Sequence, residues 1–313
     1  MPALSRRELL AACAAGSAVA MLPSASQTVQ AAPPGEEPFY ALNTGTIMGF
    51  NLPIEKEIKI AAQAGYRGIE VWMNKVRQYL ENGGNTTELK KHLTGSGVKL
   101  MSAISFPHWI VDDESERARG VEQMKEEMGI LAQLDCPYIA APASGATNRR
   151  IDDLEACGER YLAILELGES MGVIPLLELW GASATLSKLS DGAAIAVASG
   201  HSRASLLLDA YHYYRGGNRF ESLTQIAGSS LQVFHVNDYP ADPPREQLND
   251  GHRIYPGDGI CPLGDILKTI RQSGFHGVLS LELFNRSYWE SGDPLSVAKT
   301  GLEKMKKAFF DET

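Results

Sequence analysis

Ser205-Leu206-Leu207-Leu208-Asp209-Ala210-Tyr211-His212 is the stretch on which the fold of this chain turns. An apolar run leads into a carboxylate, and three residues later comes an imidazole. A continuous apolar run of this length reads as a strand buried on both faces, as in a parallel sheet. Asp209 is then the first residue able to leave the core, at the strand's C-terminal end, where α/β barrels keep their chemistry. A plainer reading competes: a helix cap followed by a surface histidine. The rest of the chain decides between them.

Similar apolar runs recur on either side. Strands are expected at 39–46, 69–72, 98–105, 138–142, 173–180, 205–208, 231–238 and 278–283. Helical patterns lie between them, at 53–64, 87–96, 115–134, 151–171, 184–199, 220–227 and 262–273, and one closes the chain at 294–310. The 20-residue pattern at 115–134 carries Val121, Met124, Met128, Leu131 and Leu134 at helical spacing. Eight strands alternating with eight helical patterns predict an α/β fold, a (β/α)8 TIM barrel in one domain over residues 39–313. No Gly-x-Gly-x-x-Gly follows the first strand to favour a dinucleotide fold. The stretches Gly65-Tyr-Arg-Gly68 and Gly274-Phe-His-Gly277 echo one another. Each is expected to put one glycine at a left-handed helix end and a second where backbone packs closely. The segment 239–261, rich in Pro, Gly and Asp, is too long for a mere connection and is read as functional.

The N-terminus reads differently. Ser5-Arg6-Arg7-Glu8 is a twin-arginine pair, followed by an alanine-rich apolar run to Leu22 and small residues up to Ala31. Residues 1–31 are therefore expected to be a twin-arginine export signal peptide, and 32–38 a disordered leader, giving a periplasmic or extracellular protein. Cys13 falls near the start of the apolar run, which makes lipidation the lesser reading. No later run is long enough to span a bilayer. Net charge is −9, and removing 1–31 takes away Arg6, Arg7 and Glu8 to leave −10. An acidic surface argues against nucleic acid as a partner. Cys136, Cys157 and Cys261 would remain, an odd number without a pairing signature, so no structural disulfide is expected.

Four metal-capable residues fall at the ends of adjacent strands: Glu178, Asp209, His235 and Glu282. Three converging carboxylates repel one another unless a cation neutralises them. One divalent ion with oxygen ligands and an imidazole meets that need. Oxygen-rich ligation favours Mn²⁺ or Mg²⁺, and the histidine keeps Zn²⁺ and Co²⁺ open.

Leu-Glu-Leu-Trp at 177–180, Leu-Asp-Ala-Tyr-His at 208–212, His235-Val-Asn-Asp238, Pro256-Gly-Asp-Gly259 and Leu-Glu-Leu at 281–283 resemble the sugar phosphate isomerase/epimerase group of xylose isomerase-like barrels. That group includes ketose 3-epimerases, hydroxypyruvate isomerases and inosose-processing enzymes. The resemblance implies that Glu178 and Glu282 both bind the metal and exchange protons with the sugar, and that His212 holds substrate oxygens. The family often carries an arginine a few residues after the strand-seven histidine. Here Ala241 stands six residues on, and only Arg245 and Arg253 follow as candidates for that substrate contact.

The expected chemistry is proton transfer next to a carbonyl through a metal-bound enediolate, giving isomerisation or epimerisation. Loss of a β-hydroxyl after the same proton removal makes a keto-sugar or inosose dehydratase or lyase the alternative. The substrate is expected to be an unphosphorylated sugar or cyclitol, because no Gly-rich phosphate cradle is evident. Trp72, Phe106, His108, Trp109 and Trp180 lie near strand ends and are candidates for the wall of a sugar site. Glu70 is read either as a buttress to the site or, preferably, as a salt-bridged structural residue. Self-association into a homo-oligomer stays open.

Two rival readings are weaker. Asp250-Gly-His252 resembles the Asp-x-His that completes the third metal site of apurinic-site endonucleases of this fold, and His108 could stand for one of their early histidines. Strand four, however, ends in Ala-Ala-Pro-Ala-Ser without a histidine. A non-catalytic carbohydrate-binding barrel should lack a complete ligand set.

Overall fold

The structure is a computed structural model, and it describes residues 38–310. The expected signal peptide, most of the leader and Cys13 lie outside the described residues. Eight parallel strands close into a barrel in sequential order. They are β1 (Phe39–Asn43), β2 (Gly68–Trp72), β3 (Lys99–Ile104), β4 (Tyr138–Pro142), β5 (Ile174–Glu178), β6 (Leu206–Asp209), β7 (Leu231–Val236) and β8 (Val278–Leu281). The barrel residues are almost wholly buried, as the apolar runs leading into Glu178 on β5 and Asp209 on β6 require for a sheet covered on both sides.

Around the barrel run α1 (Ile54–Ala64), α2 (Met73–Glu81), α3 (Thr86–Ser96), α4 (Glu114–Gln133), α5 (Leu154–Met171), α6 (Leu189–Ser199), α7 (Ala210–Arg215), α8 (Leu263–Gln272), α9 (Arg286–Ser291) and α10 (Pro294–Phe310). Most match the expected helices to within a few residues. Three differences matter. The first strand stops at Asn43, and Thr44–Phe50 coils into a 3₁₀ turn capped by the Asn43 side chain. α2 follows β2 directly and escapes the sequence reading because no side chain caps it, although Met73 and Val76 supply its buried face. The expected helix at 220–227 is a 3₁₀ turn, Phe220–Gln225.

The two echoed stretches behave as expected. Gly65 and Gly274 close helices with φ of 94° and 95°, in the left-handed region that favours glycine. At Gly277 a Cβ would lie 2.1 Å from the Gln232 carbonyl oxygen, so only glycine lets β7 and β8 approach there. Cys136, Cys157 and Cys261 are free thiols.

Candidate metal centre and its aromatic rim

Asp209 ends β6 and is also the N-cap of α7: its Oδ1 accepts the His212 backbone N–H at 2.7 Å. Asp209 is thus both the last residue of the strand and a helix cap, while the histidine that follows is half-buried against Arg253 rather than at the surface. The cap fixes one oxygen and leaves Oδ2 turned inward. The register then does the assembly. Asp209 pairs with His235 across β6–β7, and His235 with Ser280 across β7–β8, two residues before Glu282. Asp209, His235 and Glu282 each offer a ligand atom, and these atoms lie within 4.8 Å of one another. His235 Nδ1 is 3.1 Å from Glu282 Oε2 and 3.7 Å from Asp209 Oδ2.

Glu178 lies outside that tight group. Its register partner on β6 is Leu207, two residues before Asp209, so it enters one inward step lower. It is nonetheless buried, and its Oε2 has no hydrogen-bond partner; His235 Nδ1 likewise has none. Unpaired buried polar atoms are costly. Two of them beside two carboxylates, in an oxygen-and-imidazole donor set, fit a divalent cation, with Asp209, His235 and Glu282 as ligands and Glu178 beside them.

A further carboxylate completes the electrostatics. Glu70 on β2 is fully buried, and its Oε2 accepts from His235 Nε2 at 2.8 Å, Asn43 Nδ2 at 2.8 Å and Ser280 Oγ at 2.9 Å. It is both buttress and ion pair. Because it holds the Nε2 proton, Nδ1 is the ring nitrogen turned towards Asp209 and Glu282, a counter-charge to them when protonated and a ligand atom once that proton leaves. Asn43, which the sequence reading passes over, also donates to Glu282 Oε1 at 2.9 Å and accepts from Trp72 Nε1 at 3.0 Å. Asn237, likewise passed over, donates to Asp209 Oδ2 at 2.7 Å and, with its carbonyl oxygen, caps the Tyr211 N–H. An amide at a strand end carries no charge to single it out; only the motif His235-Val-Asn237 hinted at it.

The carboxylates differ in their proton affinities. Burial pushes Glu178 up to about 8, with repulsion from Glu282 and Glu70 adding to it. Burial also works to raise Glu282, but His235 and Arg253 beside it prevail and hold its carboxyl well below the usual carboxylate range. Burial, helped by Arg253, presses His212 down to about 4, which leaves it neutral.

The arginine arrives from the long segment after β7. Asp238 is buried, and its carboxylate accepts the backbone N–H groups of Tyr239, Gly257, Gly259 and Cys261. Its own backbone pairs with Ile254 in an antiparallel bridge that returns the segment to the barrel mouth. Arg253 is thereby laid over the site, fully buried, with Nη2 donating to His212 Nε2 at 3.0 Å. Arg245 is not: it pairs with Glu246 at the surface, 5.8 Å from the Tyr214 ring.

Above the carboxylates runs a rim of flat side chains. Trp72 meets Phe106 at 5.3 Å, Phe106 meets Trp180 at 5.7 Å, Trp180 meets His212 at 6.5 Å, and Phe284 returns to Trp72 at 5.9 Å. Arg253 closes the circuit between His212 and Phe284. Trp180 also hydrogen-bonds Glu178. Trp109 has no part in the rim: it is wholly buried, donates to the Pro142 carbonyl at 2.8 Å and packs on Tyr161. His108 sits half exposed outside it, paired with Glu116 at 2.6 Å. The Asp250–His252 pair forms no second metal group among the described residues. Asp250 holds Arg253, and His252 Nδ1 accepts the Asn249 N–H within a capping box.

The xylose isomerase-like TIM barrel family matches residues 58–308. The chain belongs to that family. The inosose isomerase of Bacillus velezensis is 25% identical over 267 residues, covering 83% of this chain and 94% of that one. The fructoselysine 3-epimerase of Escherichia coli O157:H7 is 22% identical, covering 82% and 93%. The 3-dehydroshikimate dehydratase of Pseudomonas aeruginosa is 23% identical, but the match spans only 37% of its length. Among solved structures, the IolI protein with a bound zinc atom superposes with a TM-score of 0.79 at 22% identity, covering 88% of this chain and 99% of that one. Among the described residues, no helix of this family member is long and apolar enough to cross a membrane.

Proposed function

We propose that this protein is a divalent-metal-dependent isomerase or epimerase of an unphosphorylated keto-cyclitol or keto sugar. The observation that carries the reading is the convergence of Asp209, His235 and Glu282 within 4.8 Å, beside a Glu178 carboxylate with one oxygen unpartnered. The inosose isomerase relatives and the zinc in the similar IolI structure support it.

The chain's own residues divide the work. Glu282 is held as an anion, with Oε1 on Asn43 and Oε2 on Arg253, so it serves as a fixed ligand. Glu178 combines a free oxygen with an environment that favours its protonated form, which suits a group that takes a proton from carbon and returns it. When bound, a divalent ion supplies Lewis-acid stabilisation of the negative charge that proton removal leaves on the substrate oxygens. His212, neutral and accepting from Arg253 at Nε2, carries its proton on Nδ1, which has no partner and is available to a substrate hydroxyl. The rim of Trp72, Phe106, Trp180 and Phe284 offers apolar faces to the C–H faces of a polyol ring. Both Nη atoms of Arg253 are engaged by protein groups, which favours an uncharged substrate over a sugar phosphate.

The Arg6-Arg7 pair and the apolar run after it support export, and the proposal places the mature enzyme in the periplasm or outside the cell. Metal analysis of protein purified without chelator tests the site. About one divalent ion per chain is expected, and none in an Asp209→Ala, His235→Ala double variant. A protein that retains no ion, or a variant that retains a full complement, refutes the reading.

A further inference from the structure

Arg253 does more than bring a charge near the site. Its guanidinium carbon lies 4.7 Å from the Tyr211 ring centroid and 4.9 Å from that of Phe284, so the group is clamped between two rings. Nη1 donates to Asp209 Oδ2 at 3.0 Å and to Glu282 Oε2 at 2.5 Å. These are the same two oxygens that face His235 Nδ1. The guanidinium and an ion held by those ligands therefore draw on one pair of acceptors. Asp250 Oδ1, at 2.8 Å from Nη2, anchors the outer end.

We propose that Arg253 is a built-in competitor for the metal, a positioning residue whose charge neutralises Asp209 and Glu282 from within the chain and so sets how tightly an ion is held. This rests on the reading of the site as a metal centre. Removing one partner of a buried ion pair strands the other at high cost. Without the guanidinium, Asp209, Glu282 and Glu70 face one another with His235 as their only counter-charge. That cost falls mainly on the ion-free protein and is relieved when a divalent cation binds. The wild-type affinity is accordingly weaker than the ligand set alone would give, and the ion-free fold correspondingly firmer.

The test uses the full chain, stripped with chelator, dialysed and titrated with Mn²⁺ by calorimetry, with melting temperatures recorded with and without the ion. Arg253→Met keeps the apolar stem between Tyr211 and Phe284 and removes the charge. It is expected to bind Mn²⁺ at least tenfold more tightly and to melt below wild type without the ion, but close to it with the ion. Arg253→Lys keeps the charge and is expected to stay within about threefold of wild-type affinity, which a mere packing role would not predict. Should the methionine variant fail to fold without the ion, Arg253→Gln replaces it, with tightening of at least threefold expected. Unchanged or weaker Mn²⁺ binding in the neutral variants overturns the inference while leaving the metal reading intact. Absence of Mn²⁺ binding by the wild-type protein overturns both.

Discussion

Glu57 gives a prediction that is independent of the site. It lies on α1, fully buried, with neither carboxylate oxygen hydrogen-bonded. Its one charged neighbour is Lys75 of α2, whose Nζ is 3.7 Å away and donates instead to the Leu52 carbonyl at 2.8 Å. Burial pushes the carboxyl from 4.5 up to about 7, with Lys75 opposing. At 1.36 kcal/mol per pKa unit this rise corresponds to about 3 kcal/mol. The sign follows from linkage: folding favours the protonated group, so the stability is fully present below pH 4.5 and is lost as pH climbs to about 7. Glu57→Gln removes the titration. Urea unfolding of wild type and variant at intervals from pH 4.5 to 8 should show the variant gaining on wild type by about 3 kcal/mol across that window. The gain should level off above it. A stability difference that stays flat from pH 4.5 to 8 refutes the reasoning.

Other predictions concern the site. Glu70→Gln loses the charge that orients His235 and should weaken Mn²⁺ binding by about 10- to 100-fold in calorimetry. Phe106, 40% exposed and set between Trp72 and Trp180, should act in binding rather than chemistry. Phe106→Ala is expected to raise KM about tenfold, an aromatic contact of about 1.4 kcal/mol, with kcat changed less. Asp238→Ala leaves the N–H groups of Tyr239, Gly257, Gly259 and Cys261 without their shared acceptor and should destabilise the protein by about 2 kcal/mol in urea. Amide exchange should then be fastest in residues 239–261.

Much of this molecule can be read from its sequence because a barrel writes itself as repeated apolar runs. The runs ending at Glu178, Asp209 and His235, and the one just before Glu282, each mark a strand whose C-terminal end carries an ionisable group. The glycines of 65–68 and 274–277 are legible for the same reason, since backbone geometry leaves few substitutes. What stays hidden depends on distance in the chain. Arg253 stands 18 residues after His235, and only the Asp238 carboxylate and the bridge to Ile254 bring it back. Asn43 and Asn237 are uncharged, and their value lies wholly in which carboxylates they meet. Trp109 illustrates the opposite error: a tryptophan just past a strand reads as a wall residue, yet its indole N–H is taken up by Pro142 inside the core. Glu70 could be read as structural because a lone carboxylate in Gly-Ile-Glu-Val-Trp carries no sign of its histidine, 165 residues away.

Solvent deuterium incorporation tests the central claim most directly. The Mn²⁺-loaded protein is incubated in D₂O with a panel of unphosphorylated inososes and ketoses, and label at carbon next to the carbonyl is followed by NMR. Exchange with at least one member is expected, lost on chelation and reduced about 10²- to 10⁴-fold in Glu178→Gln. Exchange that survives in Glu178→Gln, or no exchange with any member of the panel, contradicts proton transfer by Glu178.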